Sequence, residues 1–234
     1  MNEYILNDIT NNSVDEERLK ILNYTPNLFR NFLSILKEIK SPKDGGFMFI
    51  KTKKDYDWNY GLYCASSGGH LNLVNLMISK GANDWNKGLL SACYGGNQNV
   101  VDLIISKGGN NWNSGLYGAC LGGHQNIVNL MIEKGANNWN YGLQGACEGG
   151  NKNLVIMMIS KGANNWKSAL FSGCYGENQN VVDLIISEGA DNWNSGLYGA
   201  CWRSNQNLVN LMILKGADYC FYCRKSMEEH LKRT

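Results

Sequence analysis

The sequence lacks any strong imbalance of charge. Its 22 basic and 20 acidic residues leave a net charge of +2, which gives no bulk electrostatic reason to expect nucleic acid or an anionic membrane as partner. It also lacks long apolar runs. No stretch approaches the roughly 18 residues needed to cross a bilayer. The first twenty residues have no basic segment and no apolar segment, so no secretory signal is expected. The expectation is an intracellular, most simply cytoplasmic, protein with reduced thiols. No Walker-type phosphate loop, G-x-S-x-G, H-E-x-x-H or paired-carboxylate constellation occurs, so nothing in the sequence argues for an enzyme or a cofactor. Proline is nearly absent, at two residues, whereas glycine numbers 27 and asparagine 33. Those two residue types tolerate positive φ, and their surplus calls for many tight turns.

What the sequence does contain is a period. Trp58, Trp85, Trp112, Trp139, Trp166 and Trp193 are each 27 residues apart. The decamer NWNSGLYGAC occurs at 111–120 and again at 192–201, and YGGNQNVVDLIISKG (94–108) returns as YGENQNVVDLIISEG (175–189). Both pairs lie 81 residues apart, or three periods, so a triplet of units has been duplicated. An array grown in this way is an extended stack rather than a closed globule.

Within a unit the columns predict two short helices. Leu62, Leu89, Leu116, Leu143, Leu170 and Leu197 are followed three and four residues later by small residues such as Ala119 and Cys120, the spacing of one helix face. A glycine pair ends the first helix. Ile127, Val128, Leu130, Met131 and Ile132 then give a second apolar face, and Lys134-Gly135 ends it with glycine at the C′ position and lysine near the negative end of the dipole. Each helix has about eight residues, against the roughly 12–15 an isolated helix needs in water. Only stacking on neighbouring units buries both apolar faces.

These columns resemble ankyrin repeats. Leu116 with Ala119-Cys120 is similar to the L-H-x-A-A segment, Gly123-His124 to Gly-His, Val128 with Leu130-Met131-Ile132 to the V-V-x-L-L-L helix, and Gly135-Ala136 to the terminal G-A. The period departs from the usual 33. The missing residues fall where the family builds its projecting β-hairpin, and W-N-x-G replaces T-P. The resemblance implies an all-α solenoid of six helix-pair repeats with reduced or absent hairpins, the Trp filling the gap between successive loops. The shortened, Trp- and Asn-rich units are similar to arrays of large DNA viruses of amoebae. The resemblance further implies a non-enzymatic scaffold that binds a protein partner, a host protein for such a source, through the concave face of its first helices. No membrane or nucleic-acid partner follows from it.

Two variable columns on the first helix carry the candidate contacts. One follows the invariant Leu and holds Tyr63, Leu90, Tyr117, Gln144, Phe171 and Tyr198. The other lies four residues later and holds Ser67, Tyr94, Leu121, Glu148, Tyr175 and Trp202. Positions i and i+4 share a face. The result is an aromatic strip, interrupted at Gln144 and Glu148, of the residue types that anchor interfaces. The candidate partner-binding residues are Tyr63, Tyr94, Tyr117, Leu121, Glu148, Phe171, Tyr175, Tyr198 and Trp202. The competing reading is that these rings fill the space of the missing hairpin.

The remaining features have structural readings. Cys93, Cys120, Cys147, Cys174 and Cys201 share a column and read as small buried packing residues rather than nucleophiles, because no base stands in a fixed place beside them. His70 and His124 alternate with Asn97, Asn151, Asn178 and Asn205, which suits hydrogen bonding at the helix–helix turn. Cys220, Cys223 and His230 have zinc-like spacing but no fourth ligand. The alternatives for residues 220–234 are a capping helix and a zinc- or nucleic-acid-binding tail. Residues 1–57, with helical periodicity over 15–40, are expected to cap the array of 58–219. The alternative is a docking segment that would make the protein a substrate adaptor for a ubiquitin ligase.

Overall fold

The computed structural model describes residues 57–218. The helices expected within 15–40, the tail helix, and Cys220, Cys223 and His230 lie outside the described residues. Six helical pairs follow one another: α1 (Trp58–Ser67) and α2 (Leu71–Ser79), α3 (Trp85–Gly95) and α4 (Gln98–Ser106), α5 (Trp112–Gly122) and α6 (Gln125–Glu133), α7 (Trp139–Glu148) and α8 (Lys152–Ser160), α9 (Trp166–Tyr175) and α10 (Gln179–Ser187), and α11 (Trp193–Arg203) and α12 (Gln206–Leu214). The described residues contain no strand, as the shortened period requires.

Each pair starts from a polar cap. The residue before each Trp is Asp or Asn, and its side-chain oxygen accepts from the N–H three residues on. Asp84 takes Lys87 N–H and Asn111 takes Ser114 N–H, both at 3.1 Å. This satisfies one of the donors that a helix start leaves unpaired. Each second helix ends in a Schellman turn. After α6 the Gly135 N–H reaches Ile132 O and the Ala136 N–H reaches Met131 O, both at 2.9 Å, with Gly135 at φ 109°.

The core is one continuous seam. In unit three it takes Leu116, Ala119 and Cys120 from the first helix and Ile127, Val128 and Met131 from the second, all fully buried, and it is closed by Ala136 from the loop. A fully buried side chain of this size contributes about 1.5–3 kcal/mol. A lone pair of helices leaves one side of that seam open, so each unit depends on its neighbours.

The first helices lie closest together. Each packs on its own second helix and on the next first helix, while successive second helices barely touch. Small residues allow this approach. A Cβ on Gly118 would strike the backbone carbonyl of Leu90, and one on Gly145 or Gly199 would strike Tyr117 O or Phe171 O. Units that touch along the first helices and separate along the second present the first-helix face as the inner side of the stack.

Candidate interaction face and the bonds that hold it

The 27-residue unit lacks a hairpin, yet its loops are held in place, and the asparagine after each Trp does this. Asn113 Oδ1 accepts from both Asn137 N–H and Asn138 N–H at 2.9 Å. Asn59 does the same for Asn83 and Asp84, Asn86 for Asn110 and Asn111, and Asn140 for Asn164 and Asn165, at 2.7–3.0 Å. Asn194 accepts from Asp218 N–H at 2.7 Å. Each bond spans 24 or 25 residues, so it ties one unit to the entry of the next. Sequence reasoning did not assign this role, although an Asn column at the full period was a visible sign of it.

A second ladder runs along the other end of the first helices. Asn151 Nδ2 donates to Cys120 O at 2.9 Å, Asn178 Nδ2 to Glu148 O at 3.0 Å, and His124 Nε2 lies 3.0 Å from Tyr94 O. Histidine and asparagine exchange in this column because both place an N–H donor at the same carbonyls, which is the turn role expected of them. In the last unit Arg203 Nε donates to Tyr175 O at 3.1 Å, while Asn205 caps Leu208 N–H.

The tryptophans are half-buried against the core. Trp85 and Trp193 approach Gly108 and Gly216 of their own unit's closing loop. The lysine that caps the second helix covers the ring in two units, with Lys161 Nζ 5.2 Å from the centre of Trp139 and Lys215 Nζ 5.8 Å from Trp193. A contact of this kind at an exposed site contributes about 0.5–1 kcal/mol. The lysine column therefore has a second use beyond the helix dipole.

None of the nine candidate contact residues is buried. Tyr63, Tyr94, Tyr198 and Trp202 are exposed, Trp202 at 64%. Tyr117, Leu121, Glu148, Phe171 and Tyr175 are half-buried. Six of the nine form two groups. In units three and four, Tyr117 stacks on Tyr141 with centroids 4.5 Å apart and donates its hydroxyl to Glu148 at 2.7 Å. Burial first, and then that carboxylate, push the Tyr117 phenol well above its usual range. Glu148, the polar interruption of the strip, is thus engaged by an aromatic neighbour. In units five and six, Phe171 stacks on Tyr175 at 5.9 Å and meets Tyr198 at 5.8 Å, and Tyr198 meets Trp202 edge-on at 6.1 Å. The Arg203 guanidinium lies 4.4 Å from the Tyr175 ring centre. Between the two groups runs an open groove of about 630 Å³, lined by Tyr117, Gln144, Glu148, Lys167, Ser168, Phe171, Ser172, Asn192, Asn194, Ser195 and Tyr198.

The cysteine column is buried and forms no disulfide among the described residues. Burial pushes Cys93, Cys120 and Cys174 up to about 12 and raises Cys147 as well. A thiol held protonated is a poor nucleophile and a poor metal ligand. Among the described residues no three His, Cys, Asp or Glu side chains come together as a metal site would require, and no helix is long and apolar enough to cross a membrane.

The helical pairs turn on glycine, stack along their first helices and bury a Leu-Ala-Cys seam. Residues 62–142 match the family model for ankyrin repeats (3 copies). The described array is an ankyrin-like helical solenoid whose units lack the hairpin. A solved structure it is similar to is that of the human ASB11 ankyrin repeat domain, 22% identical, covering 67% of this chain and 84% of that one with a TM-score of 0.43. No curated protein matches the chain. Ankyrin repeats generally mediate protein–protein interactions, and proteins built from them are typically non-enzymatic scaffolds.

Proposed function

We propose that the array is a non-enzymatic scaffold that binds a protein partner on the first-helix face, chiefly at units five and six. The observation that carries this is the cluster of Phe171, Tyr175, Tyr198 and Trp202, edged by Arg203 and left partly open to solvent. Aromatic and arginine side chains are the commonest anchors of protein interfaces. Here they are prearranged by packing on one another, so binding costs little side-chain ordering. Tyr63, Tyr94, Tyr117, Leu121 and Glu148 extend the same face toward the first unit. The resemblance to arrays of amoebal viruses makes a host cytosolic protein the partner class to test.

The experiment is a triple substitution, Tyr94→Ala, Tyr175→Ala and Trp202→Ala. The melting temperature is expected to fall by under about 5 °C, since partly exposed side chains contribute modestly and about 1 kcal/mol shifts a domain of this size by roughly 2–4 °C. Partner capture from host cytosol is expected to be lost. A far larger drop in melting temperature would assign the rings to the core instead.

A further inference from the structure

Unit five departs from the loop clamp. Where the other units carry the clamping Asn, it carries Lys167. An ammonium has three donors and no acceptor, so it does not replace the carboxamide oxygen, and the side chain is exposed. The N–H groups of Asp191 and Asn192, equivalent to the pairs closed by Asn59, Asn86, Asn113 and Asn140, have no acceptor among the described residues. They belong to the cap residue of α11 and the residue before it, the two positions that the clamping Asn pairs in the other units. Asn192 caps α11 itself, its Oδ1 accepting from Ser195 N–H at 3.1 Å, and the open pair lies ahead of that turn.

A second departure falls in the same unit, on its side facing unit four. The glycine that brings first helices into backbone contact at Gly118, Gly145 and Gly199 is replaced by the buried Ser172. Helices α7 and α9 approach less closely than any of the three glycine-faced pairs. The groove described above opens there. Asn192, which carries one of the two open N–H groups, lines it together with Lys167, Phe171 and Tyr198.

We propose that the junction of units five and six binds a protein segment bearing an Asn or Gln side chain. The carboxamide oxygen accepts from the Asp191 and Asn192 N–H groups, and the flanking apolar atoms lie on Phe171 and Tyr198. The ligand chemistry is read from the molecule itself, which fills four copies of this socket with a neutral carboxamide oxygen at 2.7–3.0 Å. Lys167 and Asp191 bring opposite charges to the junction, so its formal charge gives no preference for an anion. The proposal rests on the first-helix face being the binding face and names the chemistry of what sits there.

Two measurements on the full chain test it. Amide hydrogen exchange is expected to be faster at Asp191 and Asn192 than at the clamped pairs Asn110–Asn111 and Asn137–Asn138, and to slow in Lys167→Asn. Equal protection of all three pairs in the wild type overturns the open socket. The second measurement is selection of displayed random peptides on the wild-type chain, followed by binding of the winners to variants. Peptides rich in Asn or Gln are expected. They should bind K167N about tenfold more weakly, roughly the effect of losing two neutral hydrogen bonds of modest net strength. Lys167→Ala removes the charge but leaves the socket open, so it should bind at least tenfold more tightly than K167N. Equal weakness of the two variants, or tighter binding after Asn→Asp in the peptide, overturns the carboxamide assignment. Peptides that lose affinity with Trp202→Ala but ignore K167N overturn the socket while leaving the aromatic face standing.

Discussion

At the scale of single residues, the array depends on the asparagine oxygens that hold the loop between one unit and the next. Asn113→Ala leaves the Asn137 and Asn138 N–H groups to water. We expect a loss of about 1–2 kcal/mol, the net worth of two modest hydrogen bonds, whereas Asn113→Asp keeps an acceptor and is expected to cost much less. Urea titrations of the two variants read the difference. Ser66 makes the opposite case. It occupies the position of the buried cysteines in unit one, and its hydroxyl is buried without a partner. A buried hydroxyl with no hydrogen bond costs about 1–3 kcal/mol. Ser66→Cys, which restores the repeat residue, is expected to raise stability by about 1 kcal/mol, and an unchanged melting temperature would show that the hydroxyl is satisfied. Neither role is visible in one unit taken alone. Both emerge once the columns are aligned, because Asn113 recurs with the period and Ser66 breaks it.

At the scale of the helix pair, two glycine columns that read alike in the sequence behave differently. Gly69, Gly96, Gly123 and Gly150, after the first helix, have φ of 70–78°, and the same column holds Glu177 at 60° and Ser204 at 57°. Those values lie in or near the left-handed region that L-residues enter at some cost. Gly81, Gly108, Gly135, Gly162, Gly189 and Gly216, after the second helix, have φ of 101–109°, beyond that region, and no other residue appears there. Gly135→Ala is therefore expected to cost about 1–2 kcal/mol although no atom lies within 4 Å of the added methyl. A denaturant titration checks this, and a neutral result would mean the turn relaxes. The helix pairs, the glycines that end them and the seam of Leu116, Cys120, Val128 and Met131 were legible because period, apolar spacing and turn residues all agree. The loop clamp was not legible, because an Asn beside a Trp has no characteristic spacing until its partner 24 residues away is known. The candidate rings were legible as a strip, but their division into a Tyr117–Glu148 pair and a Phe171–Trp202 cluster depends on side-chain packing that columns do not encode.

At the scale of the whole molecule, the buried thiols act together because five of the six units repeat them. A cysteine in the unfolded chain ionises near its usual value of about 8.5. In the folded array Cys93, Cys120 and Cys174 are held up to about 12 by burial, and Cys147 is raised too. Between roughly pH 9 and pH 12 the unfolded state releases protons that the folded state keeps. It then binds fewer protons, so stability falls as pH rises, by about 1.4 kcal/mol per unit for each thiol. Four thiols acting together give a slope of roughly 5 kcal/mol per pH unit, set against a total of about 5–15 kcal/mol for a typical domain. The array is expected to unfold cooperatively within about one to three units above pH 9. Circular dichroism followed against pH measures the midpoint. Cys120→Ala combined with Cys147→Ala should lower stability at pH 7 through lost packing and at the same time flatten the alkaline slope by about half. An alkaline slope unchanged by removing both thiols would show that other groups govern the transition.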